Sequence, residues 1–80
     1  STANVQRQQQ MADEDINNRV RQSLSARRDL NPAAIRVETY QRQVTLSGSV
    51  RTMQEKNIAE DTARGVSGVS NVFNQLVIRQ

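Results

Sequence analysis

The first hydrophobic pattern along the chain has the spacing of an α-helix. Ile16, Val20 and Leu24 recur every fourth residue within residues 13–30, which places them on one face of a helix. The Asn31-Pro32 pair should end this element, because the residue before a proline is pushed out of the α region. The preceding residues 1–12 are Gln-rich and have no apolar period. We therefore expect a flexible lead-in or linker over residues 1–12 and a folded domain over residues 13–80.

Two segments in the middle of the chain alternate between apolar and polar residues, as β-strands do. They are IRVETY (35–40) and QVTLSGSV (43–50), and their separation predicts an antiparallel hairpin. The turn type stays open, since Gln41-Arg42 lacks the Gly or Asn that tight hairpin turns prefer. Gly48 interrupts the inner face of the second strand, where we expect a helix to approach closely or the strand to bulge.

A second helix follows the hairpin. Thr52 and Glu55 form a capping box, and the apolar pattern runs to about Arg64. Gly65 stands at the end of this helix, where a left-handed C-cap glycine is usual. We expect Gly68 to make the turn into the next strand.

A third strand is predicted near the C-terminus, where Val72, Asn74, Leu76 and Ile78 alternate with outward-facing residues. Asn74 is polar within this apolar stripe, so its amide should satisfy backbone groups near the Gly68 turn. The order α-β-β-α-β predicts an α+β two-layer sandwich, with a three-stranded sheet and two helices on one of its faces. The order of the strands in the sheet stays open.

The sheet face away from the helices should carry Tyr40, Phe73 and Val77. Exposed aromatic residues on a bare face would form an apolar patch for a protein partner or a second copy. An unpaired sheet edge offers another route to self-association.

Composition limits the chemistry of the chain. Its 80 residues include no Cys and no His, which excludes disulfides and thiolate metal sites and removes the commonest general base and the commonest metal ligand. We therefore expect no catalytic residues, no metal and no cofactor. No stretch of residues is apolar for long enough to span a membrane. The net charge is +3 and is spread along the chain, which gives only a weak basic signal for nucleic acid.

Gly65-Val66-Ser67-Gly68 has the GxxG spacing with which KH-type modules clamp RNA. A KH clamp needs this loop between two helices, whereas here a strand follows the helix. We therefore interpret both glycines, like Gly48 and Asn74, as structural residues, and nucleic-acid binding is the least favoured of the functions considered.

Taken together, DINNRVRQSL, IRVETYQRQVTLSGSV and AEDTARGVSGVSNVFNQLVI resemble a BON domain, the bacterial osmotically induced and nodulation domain. The resemblance covers residues 13–78. BON domains commonly have a Gly in the hairpin, where this chain has Gln41-Arg42.

The resemblance implies a non-enzymatic binding module of a bacterial periplasmic or envelope protein, as in osmotic-stress proteins. Its partner would be a phospholipid surface or an envelope protein. Arg21 and Arg28 are seven residues apart, which predicts that they share one side of the first helix, and with Arg51 they are the best candidates to contact anionic lipid. Such contacts would be electrostatic and sensitive to salt.

Overall fold

A computed structural model describes residues 2–79, with side-chain surroundings for residues 12–79. The chain forms two α-helices and a sheet of short strands, which confirms the α+β fold and the predicted order. The elements are α1 (Thr2–Ser25), a 3-10 turn (Pro32–Ala34), β1 (Ile35–Tyr40), β2 (Gln43–Val50), α2 (Met53–Arg64), β3 (Asn71–Asn74) and β4 (Val77–Ile78).

The central strand of the sheet is β2. It pairs antiparallel with β1 on one side and parallel with β3 and β4 on the other. Val72 lies opposite Val44 and Ile78 lies opposite Val50, so β3 and β4 keep the same register along β2. They form one strand that is interrupted opposite Ser47 and Gly48, where the sequence predicted a continuous strand.

The core lies between the helices and one face of the sheet. The first helix contributes the predicted stripe of Ile16, Val20 and Leu24 to this core. The second helix contributes Ala59 and Ala63, which are fully buried. Small alanines let α2 approach the rest of the core closely. The other buried apolar residues are Leu30, Val44, Leu46, Val50, Val66, Val72 and Leu76.

Both ends of α1 differ from the prediction. The helix begins at Thr2, so the lead-in predicted as flexible is helical from Thr2 onward, and Asp13 lies inside the helix. Gln, Met, Arg and Ala form helices well without an apolar stripe, which explains why periodicity missed this part. Where the folded domain itself begins stays a prediction.

The helix ends at Ser25, earlier than Asn31-Pro32. Leu30 belongs to the core, yet a continued helix would place position 30 about 120° around the helix axis from Leu24. The chain therefore leaves the helix so that Leu30 can turn inward. As a result Arg28 lies in the turn after α1 and does not share a helix face with Arg21.

Gln41 and Arg42 form a two-residue turn between β1 and β2. Their φ angles are +50° and +64°, and positive φ at both positions is typical of a type I′ turn. The buried carboxylate of Asp13 accepts hydrogen bonds from both backbone N–H groups, at 2.7 Å from Gln41 and 2.8 Å from Arg42. A carboxylate on α1 thus holds a turn that contains no glycine.

Gly48 is required by a close approach of the backbone. Its φ is +109°, and a Cβ at this position would overlap the carbonyl oxygen of Ala34 in the 3-10 turn. The sequence predicted a helix or a bulge here. The element that approaches is the 3-10 turn just before β1.

The two glycines after α2 have different roles. Gly65 has φ −73° and ψ −10°, so the predicted left-handed C-cap is wrong and the helix ends in right-handed geometry. Gly68 is left-handed, with φ +95°, and a Cβ there would lie 3.1 Å from Cδ1 of Ile16. As predicted, the turn into the third strand falls at Gly68.

Asn74 joins the third strand to α2. Its Nδ2 donates to the carbonyl of Lys56 at 2.9 Å, and its Oδ1 accepts from the backbone N–H of Leu76 at 3.2 Å. The amide does satisfy backbone groups, but they belong to α2 and to the strand break. The prediction that it serves the Gly68 turn is wrong.

Candidate anion-binding groove

A shallow groove lies at the end of the sheet where β2 and β4 finish. It is bordered by the turn after α1, by the residues that join β2 to α2, and by the residue after β4. Its lining residues are Arg28, Asp29, Leu30, Asn31, Ala34, Ser49, Val50, Arg51, Glu55 and Arg79. We call this feature the arginine groove.

Three arginines from distant parts of the chain meet at the arginine groove. Arg28 comes from the turn after α1, and Arg51 follows β2 directly. Arg79 reaches the groove because its backbone N–H donates to the carbonyl of Val50 at 2.7 Å. All three arginines are exposed, and within residues 12–79 none of them forms an ion pair.

The first carboxylate of the groove, Asp29, forms an ion pair with Arg27, which does not line the groove. Nε and Nη2 of Arg27 donate to the two oxygens of Asp29 at 3.1 and 2.8 Å. These hydrogen bonds lower the pKa of Asp29 and raise that of Arg27. The charge of Asp29 is therefore largely balanced before any ligand arrives.

The second carboxylate, Glu55, caps the start of α2. Its Oε2 accepts from the backbone N–H of Arg51 at 2.6 Å, while its own N–H donates to Oγ1 of Thr52 at 3.0 Å. The Thr52 half of the predicted capping box is confirmed, whereas the Glu55 side chain bonds the residue before the N-cap and not Thr52 itself. The bond from Glu55 holds the backbone of Arg51 in place and leaves its guanidinium at the groove.

Arg21 lies apart from Arg28 and Arg51. It lines a second groove together with Arg36, Ser47 and Gly48, and the 3-10 turn borders both grooves. The structure therefore brings together two of the three arginines that the sequence singled out. Sequence reasoning missed Arg79, whose position follows only from the parallel register of β4 along β2.

Tyr40, Phe73 and Val77 lie on the outer face of the sheet, as the alternation predicted. Their exposed fractions are 73%, 44% and 52%. They are not neighbours in the sheet, because each lies opposite a different polar residue of β2. Tyr40 is opposite Gln43, Phe73 is opposite Thr45 and Val77 is opposite Ser49. Polar side chains of β2 therefore separate three single exposed apolar residues, and their use by a partner stays a prediction.

The GxxG segment does not have the surroundings of a KH clamp. Gly65 to Gly68 join α2 to β3, so this GxxG lies between a helix and a strand. Within the described residues, no cluster of three or more Asp, Glu, His or Cys residues could hold a metal ion. None of the described helices is long and apolar enough to cross a membrane.

Comparison with known proteins identifies the family. The model of the BON domain matches residues 12–80, which is most of the chain, and the chain therefore belongs to the BON domain family. A search of curated proteins gave no significant match. BON domains are generally non-catalytic binding modules and are typically found in periplasmic or envelope proteins.

Proposed function

We propose that this BON domain attaches peripherally to anionic phospholipid surfaces in the bacterial envelope, with the arginine groove as the contact site. One observation carries the proposal: Arg28, Arg51 and Arg79 surround a single groove whose two carboxylates are already hydrogen-bonded. Guanidinium groups are planar multiple donors that match phosphate oxygens well. The groove therefore suits a phosphate headgroup better than a neutral ligand.

Met53 supports a membrane as the source of the phosphate. It is the first residue of α2, two positions after Arg51, and is 57% exposed. An apolar side chain close in sequence to a basic groove can enter the interfacial layer of a bilayer, whereas free phosphate would give it no contact. We expect Met53→Ser to weaken vesicle binding modestly.

The expected affinity is low for one domain. Each arginine near an anionic surface contributes about 1 kcal/mol, so three give ~3 kcal/mol, or roughly a hundredfold preference over a neutral surface. At 0.1 M salt the screening length is about 10 Å, so exposed contacts of this kind weaken as salt rises. A second copy or a second binding domain would raise the effective affinity through avidity.

The proposal is tested by vesicle co-sedimentation with a charge-matched control. The groove variant combines Arg28→Gln, Arg51→Gln and Arg79→Gln, and the control combines Arg36→Gln, Arg42→Gln and Arg64→Gln. Both lose the same formal charge. We expect the groove variant to lose nearly all binding to vesicles that contain phosphatidylglycerol, while the control keeps most of it.

Equal loss in both variants would mean that only net charge matters and would contradict a groove. Binding to pure phosphatidylcholine that equals binding to anionic vesicles would also contradict the proposal. Inorganic phosphate is a further arm of the test. If phosphate binds the groove and vesicles do not, the ligand is a soluble anion and the membrane proposal fails.

A protein partner at the outer sheet face is the second candidate function. The exposure of Tyr40, Phe73 and Val77 favours it, since each offers a separate apolar contact. Phe73→Ser should abolish such an association and leave the fold intact, because the side chain lies outside the core cluster. Capture of an envelope protein that is unaffected by Phe73→Ser would exclude this face.

A further inference from the structure

The two edges of the sheet expose their backbones differently. At the β3 and β4 edge, Gln75 and Arg79 donate to β2, so the intervening even-numbered residues direct their backbone groups outward. The N–H of Val72 donates to Oδ1 of Asn71 at 2.9 Å, and that of Leu76 to Oδ1 of Asn74 at 3.2 Å. Asparagine side chains therefore occupy two of the four outward donors on this edge, which disfavours the addition of a strand.

The β1 edge lacks this protection. Tyr40 and Gln43 flank a two-residue turn and so form a hydrogen-bonded pair, which makes Ile35, Val37 and Thr39 the outward-facing residues. The N–H of Ile35 is taken by the carbonyl of Pro32. Among the described residues, no hydrogen bond occupies the backbone N–H of Val37 or Thr39, or the carbonyl of Ile35.

We propose that β1 pairs antiparallel with β1 of a second copy of this chain, centred on Val37. In this register, Val37 exchanges backbone hydrogen bonds with Val37 of the second copy. The N–H of Thr39 donates to the carbonyl of Ile35 in the other copy, and by symmetry the N–H of the other copy's Thr39 donates to the carbonyl of Ile35 in the first. The N–H of Ile35, already bonded within its own chain, is not needed.

Side-chain charge selects this register. Arg36 and Glu38 are exposed neighbours on the outer face of β1, and pairing centred on Val37 places each arginine directly opposite a glutamate of the other copy. These are non-hydrogen-bonded positions, where opposite side chains come closest. Pairing centred on Glu38 would oppose two glutamates, and pairing centred on Arg36 would oppose two arginines.

The contact would also cover apolar surface on the helix side of the sheet. Ile35 and Val37 are only partly buried and pack at the margin of the core. A single strand pair buries less area than a standard interface of about 800 Å² per partner. We therefore expect a weak dimer, observable near 1 mM protein and dependent on concentration.

The test is a charge-exchange experiment followed by sedimentation equilibrium in 0.1 M salt. In Arg36→Glu both charged positions of β1 become acidic, and in Glu38→Arg both become basic. Each variant alone places like charges opposite each other, so its dimer should weaken about tenfold. An equimolar mixture restores opposite charges and should associate as tightly as the unmodified chain.

Arg64→Glu is the control for Arg36→Glu, because it makes the same charge change on α2, away from β1, at a side chain that is 58% exposed. It should leave the dissociation constant unchanged. A monomer at 1 mM for the unmodified chain would overturn the proposal. So would equal dimerisation of all three single variants, or a mixture of Arg36→Glu and Glu38→Arg that stays monomeric while both remain folded.

Discussion

The carboxylate of Asp13 fixes the backbone of Arg42, which lies far from it in the sequence. Oδ1 of Asp13 accepts the N–H of Arg42 at 2.8 Å, and Oδ2 accepts the N–H of Gln41 at 2.7 Å. Asp13 is the one buried charged residue among those described. The hairpin is therefore held by the first helix as well as by its own sequence.

Removing this carboxylate should destabilise the domain. Asp13→Ala loses two charge-assisted hydrogen bonds and leaves two turn donors without that partner, so we expect the free energy of unfolding to fall by about 2–4 kcal/mol. Urea denaturation followed by circular dichroism measures this change. Asp13→Asn keeps one acceptor oxygen and should lose less. Equal loss in both variants would mean that packing, and not the acceptor oxygens, stabilises the turn.

Glycine at the second position of the turn should stabilise the domain. Arg42 has φ +64°, a conformation that costs a side-chain-bearing residue about 1 kcal/mol relative to glycine. We expect Arg42→Gly to raise the free energy of unfolding by about 0.5–1 kcal/mol, since its N–H still reaches Asp13. Arg36→Gly, within strand β1, is the control and should destabilise. A destabilised Arg42→Gly would show that the arginine side chain contributes more than the backbone strain costs.

Gly48 and Gly65 should respond oppositely to alanine. At Gly48 the φ of +109° and the overlap with the Ala34 carbonyl predict a loss of at least about 2 kcal/mol of unfolding free energy. At Gly65 the backbone is right-handed and the nearest atom would lie 3.5 Å from a Cβ. Gly65→Ala should therefore be neutral or stabilise by up to about 1 kcal/mol. Thermal unfolding of the two variants compares them directly.

The ion pair between Arg27 and Asp29, beside the arginine groove, should be detectable in an acid titration as a lowered pKa of Asp29. The hydrogen bonds from Arg27 lower the pKa of Asp29, so Arg27→Gln should raise that pKa towards its ordinary value. Because the pKa is lower in the folded chain, the pair stabilises the fold above the unfolded-state pKa. This stabilisation is lost as the pH falls through the folded-state pKa. Carboxyl NMR signals of Asp29 at pH 2–6 measure the shift, and an unchanged midpoint would contradict the pairing.

The local elements of this fold could be predicted from the sequence because their causes are local. Alternation gave both strands of the hairpin with their observed bounds, and Thr52 with Glu55 gave the start of α2. The outward direction of Phe73 also followed from alternation. Such patterns depend on residues a few positions apart, which the sequence displays directly.

Apart from the start of α1, the errors concern contacts between distant segments. Gly68, against which Ile16 of α1 packs, has a left-handed backbone, whereas Gly65 is right-handed. The residues next to the two glycines do not indicate which of them is left-handed. Arg79 joins the arginine groove only because β4 runs parallel to the end of β2. The type I′ turn without glycine depends on Asp13, and no local turn rule would include a carboxylate on another element.

The most direct test of the arginine groove is an NMR titration of the isotopically labelled domain with phosphatidylglycerol and with phosphatidylcholine nanodiscs. Backbone amide signals would be followed at low and at moderate salt. We predict shifts centred on Arg28, Arg51 and Arg79, with the anionic lipid only, that diminish as salt rises. The absence of shifts with the anionic lipid, or shifts confined to the outer sheet face or to residues 65–68, would contradict the proposed function.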